Sequence, residues 1–306
     1  MVDRIASFTQ TSGILANNLR LQSNYAQTQV QVSSGITSTR YEGIAGGTSR
    51  LLNLESDFDR ISQQTENVQL ASDRVDIMYD ALGSIISQTQ QFVADLSATV
   101  SGLGSQGVAL ANIAQTKLNQ VAGNLNTQIA DRYLFSGATT QTAPVDLNDP
   151  AFGGQLFVLP GPSVADFDYY QGDNYVQRVE ASDGFFVNYG VQADDPGFEK
   201  IIRGYDLILT NPTDQDTLEE AYRIMQEGVD DVAVVQAAIS QDAQTLQNQK
   251  EANLEDLLLI ENQIADIREV DLAEASTRLK QLETQLEASY SVTATMLKLN
   301  LADYIR

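Results

Sequence analysis

Apolar side chains recur at steps of four and three along two long stretches of this chain. In the first they fall at Leu54, Phe58, Ile61, Thr65, Val68, Ser72, Val75, Tyr79, Leu82, Ile86, Thr89, Val93, Leu96 and Val100, and eleven of these fourteen positions are apolar. That is a heptad seam, and it predicts one helix over residues 50–101. At 1.5 Å per residue such a helix is roughly 70 Å long, too long to close a core by itself. The second seam covers residues 216–268: Leu218, Tyr222, Met225, Val229, Val232, Gln236, Ile239, Ala243, Leu246, Lys250, Asn253, Leu257, Ile260, Ile264 and Ile267. Its length makes it the natural antiparallel partner of the first. The polar lapse at Lys250 and Asn253 marks either a turn or a register device.

Each end of the chain supplies one more amphipathic helix. Residues 3–32 carry two apolar faces, Phe8, Leu15, Leu19 and Ala26 on one and Ile14, Leu21, Tyr25 and Val32 on the other. A two-faced helix with few charges needs neighbours on both sides. Ser33-Ser34-Gly35 ends it, with Gly35 suited to a left-handed cap. Near the other end, Asp271-Leu272-Ala273-Glu274 reads as a capping box. A final helix follows it, with Leu272, Leu279, Leu282, Leu286, Tyr290, Leu297 and Leu301 as its stripe. A shorter amphipathic helix is expected over 107–131, through Leu110, Ile113, Val121, Leu125 and Ile129.

The prolines set the boundaries of the remainder. All six (Pro144, Pro150, Pro160, Pro162, Pro196 and Pro212) fall within one stretch, and proline breaks helix interiors. Alternating pieces such as Gly154–Leu159 and Phe185–Val191 suggest strands there. The expected fold is mainly α: a long antiparallel helical coiled-coil rod formed by the N- and C-terminal segments, with a small β-containing central insert. The expected division is terminal helices 1–47 and 270–306, a helical rod of 48–137 and 205–269, and an insert of 138–204.

Composition removes most chemistry. Among 306 residues there is no Cys and no His, so Ser-His-Asp and Cys-His sites, disulfides and thiolate-held zinc are excluded. Carboxylate pairs are plentiful among 41 acidic residues and therefore carry no weight as a glycosidase site. Asp166 with Asp168, or Asp146 with Asn148 and Asp149, could ligate calcium, but the EF-hand spacing is absent and a solvated acidic loop fits better. Gly102, Gly104 and Gly107 break a helix and do not follow a strand, so they form no phosphate loop. Tyr169, Tyr170, Tyr175 and Tyr189 could stack on sugars, which would make the acidic insert an adhesin or glycan-binding surface; packing is the better reading. No catalytic residue, metal or cofactor is expected.

Charge refines the picture. The net charge is −23, which opposes nucleic acid and anionic membrane as partners. Residues 1–45 carry +1 and residues 272–306 carry 0, leaving −24 for residues 46–271. Near-neutral ends can pack together at little Coulomb cost. Met1-Val-Asp-Arg-Ile-Ala-Ser-Phe has no apolar core of a signal peptide, and no window is apolar enough to span a membrane.

Three segments carry a family resemblance. Ser33-Ser34-Gly35 after a long helix, Arg132-Tyr133-Leu134-Phe135-Ser136-Gly137 before the insert, and Glu287–Tyr290 through Leu299-Asn300-Leu301-Ala302-Asp303-Tyr304-Ile305 resemble bacterial flagellins and, more closely, their hook–filament junction (hook-associated) class. The flagellin opening I-N-T-N and the R-I-N continuation of the SSG motif are missing, which favours the junction class over bulk flagellin. The resemblance implies a non-enzymatic structural subunit, exported without a cleaved signal peptide through the flagellar type III apparatus to the extracellular flagellum. It implies self-assembly in a ring or helical array, with a hook-side junction protein and flagellin as partners and an export chaperone at the C-terminal helix. It also implies an inner coiled coil built on Phe8, Leu15, Leu19, Leu279, Leu282, Leu286 and Leu297. A filament-forming flagellin is the alternative.

Overall fold

The computed structural model describes residues 2–41, 44, 47–100, 107–153 and 162–304. It is mainly helical: α1 (Val2–Ser34), α2 (Thr48–Val100), α3 (Gly107–Leu125), α4 (Pro196–Thr210), α5 (Gln215–Arg268) and α6 (Leu272–Tyr304). Two short antiparallel hairpins, β1 (Gln128–Ile129) with β2 (Arg132–Tyr133) and β3 (Gln177–Ser182) with β4 (Phe185–Tyr189), lie between α3 and α4. The expected strand at Gly154–Leu159 lies outside the described residues. None of the described helices is long and apolar enough to cross a membrane.

The chain divides into two compact units, residues 1–59 with 257–306, and residues 60–256. The second unit holds one hydrophobic core running from Val68 to Leu246. Both predicted seams feed it. On α2, Val68, Val75, Leu82, Val93 and Leu96 are buried, and on α5 Leu218, Met225, Val229, Val232, Ile239 and Leu246. The two helices run antiparallel there: Gln215 Nε2 donates to Val100 O (2.9 Å) and Gln236 Nε2 to Tyr79 O (3.2 Å).

The seam on α2 is not the whole of its buried surface. Tyr79, expected within it, is 42% exposed. A second stripe, Ala71, Met78, Ile85 and Phe92, is buried instead at strict seven-residue spacing. It faces α4 and the β3–β4 hairpin: the Phe92 ring lies 4.9 Å from that of Tyr205, and Met78 Cε lies 3.2 Å from where a Cβ on Gly190 would stand. An a/d seam describes a two-helix contact, and α2 serves two sides.

The expectation for α3 needs correction. The helix ends at Leu125, not near residue 131. Asn126 turns the chain, with Nδ2 donating to Val145 O and Oδ1 accepting from Val145 N, both at 2.9 Å. Ile129, expected on the helical stripe, instead pairs with Arg132 across a two-residue turn. Its central residues Ala130 and Asp131 have φ of 48° and 59°, the left-handed pair of a type I′ turn. Such turns are usually signalled by Asn-Gly, which is missing here.

The lapse at Asn253 is not a turn; its amide serves the β3–β4 hairpin. α5 is continuous from Gln215 to Arg268, so no turn occurs there. Asn253 is buried, its Nδ2 donating to Ala181 O at 2.9 Å and its Oδ1 accepting from Gln249 Nε2 at 2.9 Å. Ala181 sits where β3 and β4 slip register between Glu180 and Ser182, so its carbonyl lacks a strand partner and the amide supplies one.

A polar network fixes the segment that leads into Tyr169. Glu220 Oε1 accepts from Ser163 N (3.0 Å) and Ser163 Oγ (2.9 Å), while Arg223 Nε donates to Glu220 Oε2 (2.9 Å). Burial pushes the Glu220 carboxyl up, but the Arg223 and Ser163 hydrogen bonds outweigh it and hold its pKa at about 2. A carboxyl depressed on folding stabilises above its unfolded pKa and loses that stabilisation as pH falls toward its folded pKa. The native chain should therefore exceed Glu220→Gln in stability at neutral pH, by roughly 1–2 kcal/mol once solvent screening of the half-exposed Arg223 is counted. The gap should close as pH falls from about 4.5 toward 2. Urea unfolding of both chains across that range measures it; a gap independent of pH refutes the assignment.

Candidate assembly surface

The first unit is organised by α1 and α6, which pack against each other. Each is set by its cap. Gly35 adopts φ +74° and its N–H returns to Gln31 O at 2.9 Å, ending α1. Asp271 Oδ1 accepts from Ala273 N (2.8 Å) and Glu274 N (3.1 Å), starting α6. The two caps are joined directly: Ile36 and Glu269 form a β-bridge, Val270 N donates to Gly35 O (3.0 Å), and Thr37 N to Arg268 O (2.6 Å). Nearby, Glu55 receives Arg268 Nη1 at 3.0 Å and the Tyr41 hydroxyl at 2.8 Å, and that hydrogen bond raises the Tyr41 pKa.

From these caps the helices run antiparallel. Ile14, Leu21, Tyr25 and Val32 are half-buried, and across from them Ala275, Leu282 and Leu286 are buried and Leu279 half-buried. The interior also contains polar residues. Asn18 is 5% exposed and Thr28 4%. Asn18 Nδ2 donates to Thr293 Oγ1 (3.1 Å), Ser289 Oγ donates to Asn18 Oδ1, and Gln22 Nε2 donates to Tyr290 OH (2.5 Å). Reading the four-three steps from Ile14 through Leu21, Tyr25 and Val32 lands on Asn18 and Thr28, so the heptad pattern marks positions that an apolar-only reading passes over.

The other face of α1 has no partner among the described residues. Leu15 is 59% exposed and Leu19 58%, and Val30 and Ala26 are exposed with them. At 100° per residue these four lie within roughly a 60° arc, about a third of a turn from the face on α6. From residue 5 to residue 34 the only charged side chain is Arg20, whose guanidinium is engaged by Asn17 Oδ1 at 3.1 Å. Soluble domains as a whole average about a quarter charged residues. Of the seven positions expected in the inner coiled coil, Leu282, Leu286 and Leu279 thus turn toward α1, and Leu15 and Leu19 turn outward. Phe8 and Leu297 lie on α1 and α6, with side chains outside the described residues.

The other candidate sites dissolve into structure. Asp166 is buried, which corrects the expectation of a solvated loop: Oδ1 accepts from Asp168 N and Oδ2 from Gly153 N, both at 3.0 Å. Asp146 and Asp149 likewise accept from Asn148 N and Ala151 N at 2.9 Å. Among the described residues no group of three metal-ligating side chains comes together. Tyr169 is fully buried with its hydroxyl donating to Ala193 O at 2.9 Å, and burial raises its pKa well above the ordinary value. Tyr189 is buried and accepts from Arg74 at 3.0 Å, and Tyr170 donates to Asp173 O at 2.7 Å; only Tyr175 is exposed.

Residues 132–137 are equally structural. Arg132 and Tyr133 form β2; Leu134, Phe135 and Ser136 are buried, with Phe135 edge-on to Phe198 at 6.3 Å. Gly137 has φ +67°, and a Cβ there would stand 2.1 Å from Asp173 Oδ1. The motif ties the end of α3 to α4 and the insert.

The arrangement is that of a helical assembly protein whose two chain ends pair and still leave an apolar face free. Two family models match: the bacterial flagellin N-terminal helical region over residues 5–140, and the bacterial flagellin C-terminal helical region over residues 216–305. Together they take in well over half of the chain, which belongs to the flagellin family and is a structural component of the bacterial flagellum. The fold is similar to that of a flagellar hook-associated protein from Vibrio parahaemolyticus (TM-score 0.59, 15% identity, covering 72% of this chain and 97% of that one). It is also similar to FlgL from Bacillus cereus (TM-score 0.56, 13% identity, 69% of this chain and 98% of that one). At these identities the likeness is one of fold. No curated protein matches the sequence.

Proposed function

We propose that this chain is a junction subunit that joins hook to filament, and that it works by assembly alone, without catalysis. The observation that carries the assembly reading is the exposed, nearly uncharged stripe of Leu15, Leu19, Ala26 and Val30 on a helix already paired with α6. In this reading Phe8, Leu15 and Leu19 meet neighbouring copies, while Leu279, Leu282, Leu286 and Leu297 hold the α1–α6 pair that presents them. Residues 48–137 and 205–269 surround this inner layer, and 138–204 face outward. The junction role is supported by the Arg132–Gly137 motif and by the hook-associated identity of both similar structures. The partners are other copies of the chain, a hook-side junction protein and flagellin, reached by signal-peptide-independent export, with a chaperone on α6 before assembly.

Immunogold electron microscopy of intact flagella, with antibody against residues 138–204, tests it. Label in one short zone between hook and filament is the expected result. Label along the whole shaft makes the chain a filament subunit, and label away from the flagellum overturns the assembly reading as well.

A further inference from the structure

We propose that Asn18 is a register-determining residue: its buried hydrogen bonds to Ser289 and Thr293 fix which turn of α6 lies against which turn of α1. The inference rests on reading these helices as the assembly layer, and it assigns one residue the task of aligning them.

The α1–α6 contact is otherwise poorly specified. Its apolar positions repeat every three and four residues, and although α6 carries charged side chains, α1 between residues 5 and 34 offers them only Arg20. Such a pair can slide by one heptad, about 10 Å, and still set apolar side chains against apolar ones at most positions. Ionic pairs at the rim are the usual guard against this, and α1 offers only Arg20, which is turned to Asn17. A buried amide restores uniqueness because it is satisfied at one alignment alone. Asn18 meets this requirement at both ends of its side chain. Nδ2 donates to Thr293 Oγ1 at 3.1 Å and Oδ1 accepts from Ser289 Oγ, two residues one turn apart on α6. Gln22 to Tyr290 at 2.5 Å lies one turn further along in the same alignment. Slipped by seven residues, the amide would face Leu282 and Leu286 in one direction and Met296 and Asn300 in the other. Neither alignment offers it two hydroxyls one turn apart, as Ser289 and Thr293 do. Alignment matters to the assembly because the outward stripe and the caps at Gly35 and Asp271 are presented together only in one register.

The test uses the full chain in solution. With no native Cys, introduced thiols at exposed Ser23→Cys and Glu287→Cys are the sole labelling sites, and spin labels there report the spacing between helices by pulsed electron resonance. The native pair should give one narrow distance. Asn18→Leu should resist unfolding better, as apolar replacement of a buried polar group allows, yet show an added distance or a shift corresponding to about 10 Å of sliding. Ser289→Ala with Thr293→Val, which strands the amide, should instead lower protection of the α1–α6 amides from hydrogen exchange. A single native distance in Asn18→Leu overturns the proposal. So does a native chain without one defined distance, or unchanged protection in the double variant. None of these readouts involves hook or filament, so failure here leaves the junction role to be judged by microscopy.

Discussion

Leu286→Asp should abolish incorporation of the chain into flagella while leaving residues 60–256 folded. Leu286 is buried between α6 and α1. Losing the side chain costs roughly 2–5 kcal/mol. Desolvating a carboxylate with no cation opposite costs several kcal/mol more. Nothing in the α1–α6 contact can absorb that, since it is one layer thick and partly polar. The core of the second unit runs from Val68 to Leu246 and uses no residue of either terminal helix. Circular dichroism melting should therefore keep the main transition, proteolysis should remove both ends, and cells expressing the variant alone should lack junctions in electron micrographs. Leu19→Asp separates pairing from docking. At 58% exposed, Leu19 contributes little to the free fold, so its variant should melt like the native chain and still fail to incorporate. Normal incorporation of Leu19→Asp would remove the outward stripe from the interface.

The second large effect belongs to Phe92. It is 1% exposed, and its ring meets Tyr205, itself fully buried, at 4.9 Å. Phe92→Ala leaves a cavity between α2 and α4 and should cost roughly 3–5 kcal/mol. For a unit of this size each kcal/mol lowers Tm by about 2–4 °C, so a fall on the order of 10 °C is expected in calorimetry. Phe92→Leu, which refills much of the space, should recover most of it. An Ala variant within a degree or two of the native Tm would mean that α4 is not clamped by this pair.

How far the sequence could be read follows from what each element rests on. The long helices were legible because a heptad seam is a local, redundant pattern, and a miss at one position such as Tyr79 does not erase it. Phe92 was not, because the stripe of Ala71, Met78, Ile85 and Phe92 is buried by α4 and β4, and their position is set by tertiary packing. The end of α3 was misread for a related reason. Ile129 continues the helical spacing, and the force that breaks the helix is Asn126 reaching forward to Val145. Asp166 belongs with these cases: nothing local marks an acidic residue as buried when its partners, Gly153 and Glu199, come from other segments. At the assembly surface, the apolar residues were evident, but which of the two faces of α1 the chain itself would cover was not. Both faces have similar apolar content, and the covered one buries Asn18 and Thr28, whose polarity removes them from any hydrophobic pattern.

The uneven placement of charge has a consequence for the medium in which such a subunit works. Contacts made through the near-neutral ends carry almost no net charge, so added salt has little net repulsion to screen there. The residues that carry −24 repel their counterparts on neighbouring copies, and that repulsion shortens in range as ionic strength rises, to about 8 Å at 0.15 M. Salt thus acts on the two parts of the chain unequally. It leaves the adhesive ends almost unaffected and relaxes the repulsion between the acidic bodies, so dilute surroundings keep free subunits apart and saline ones favour their union.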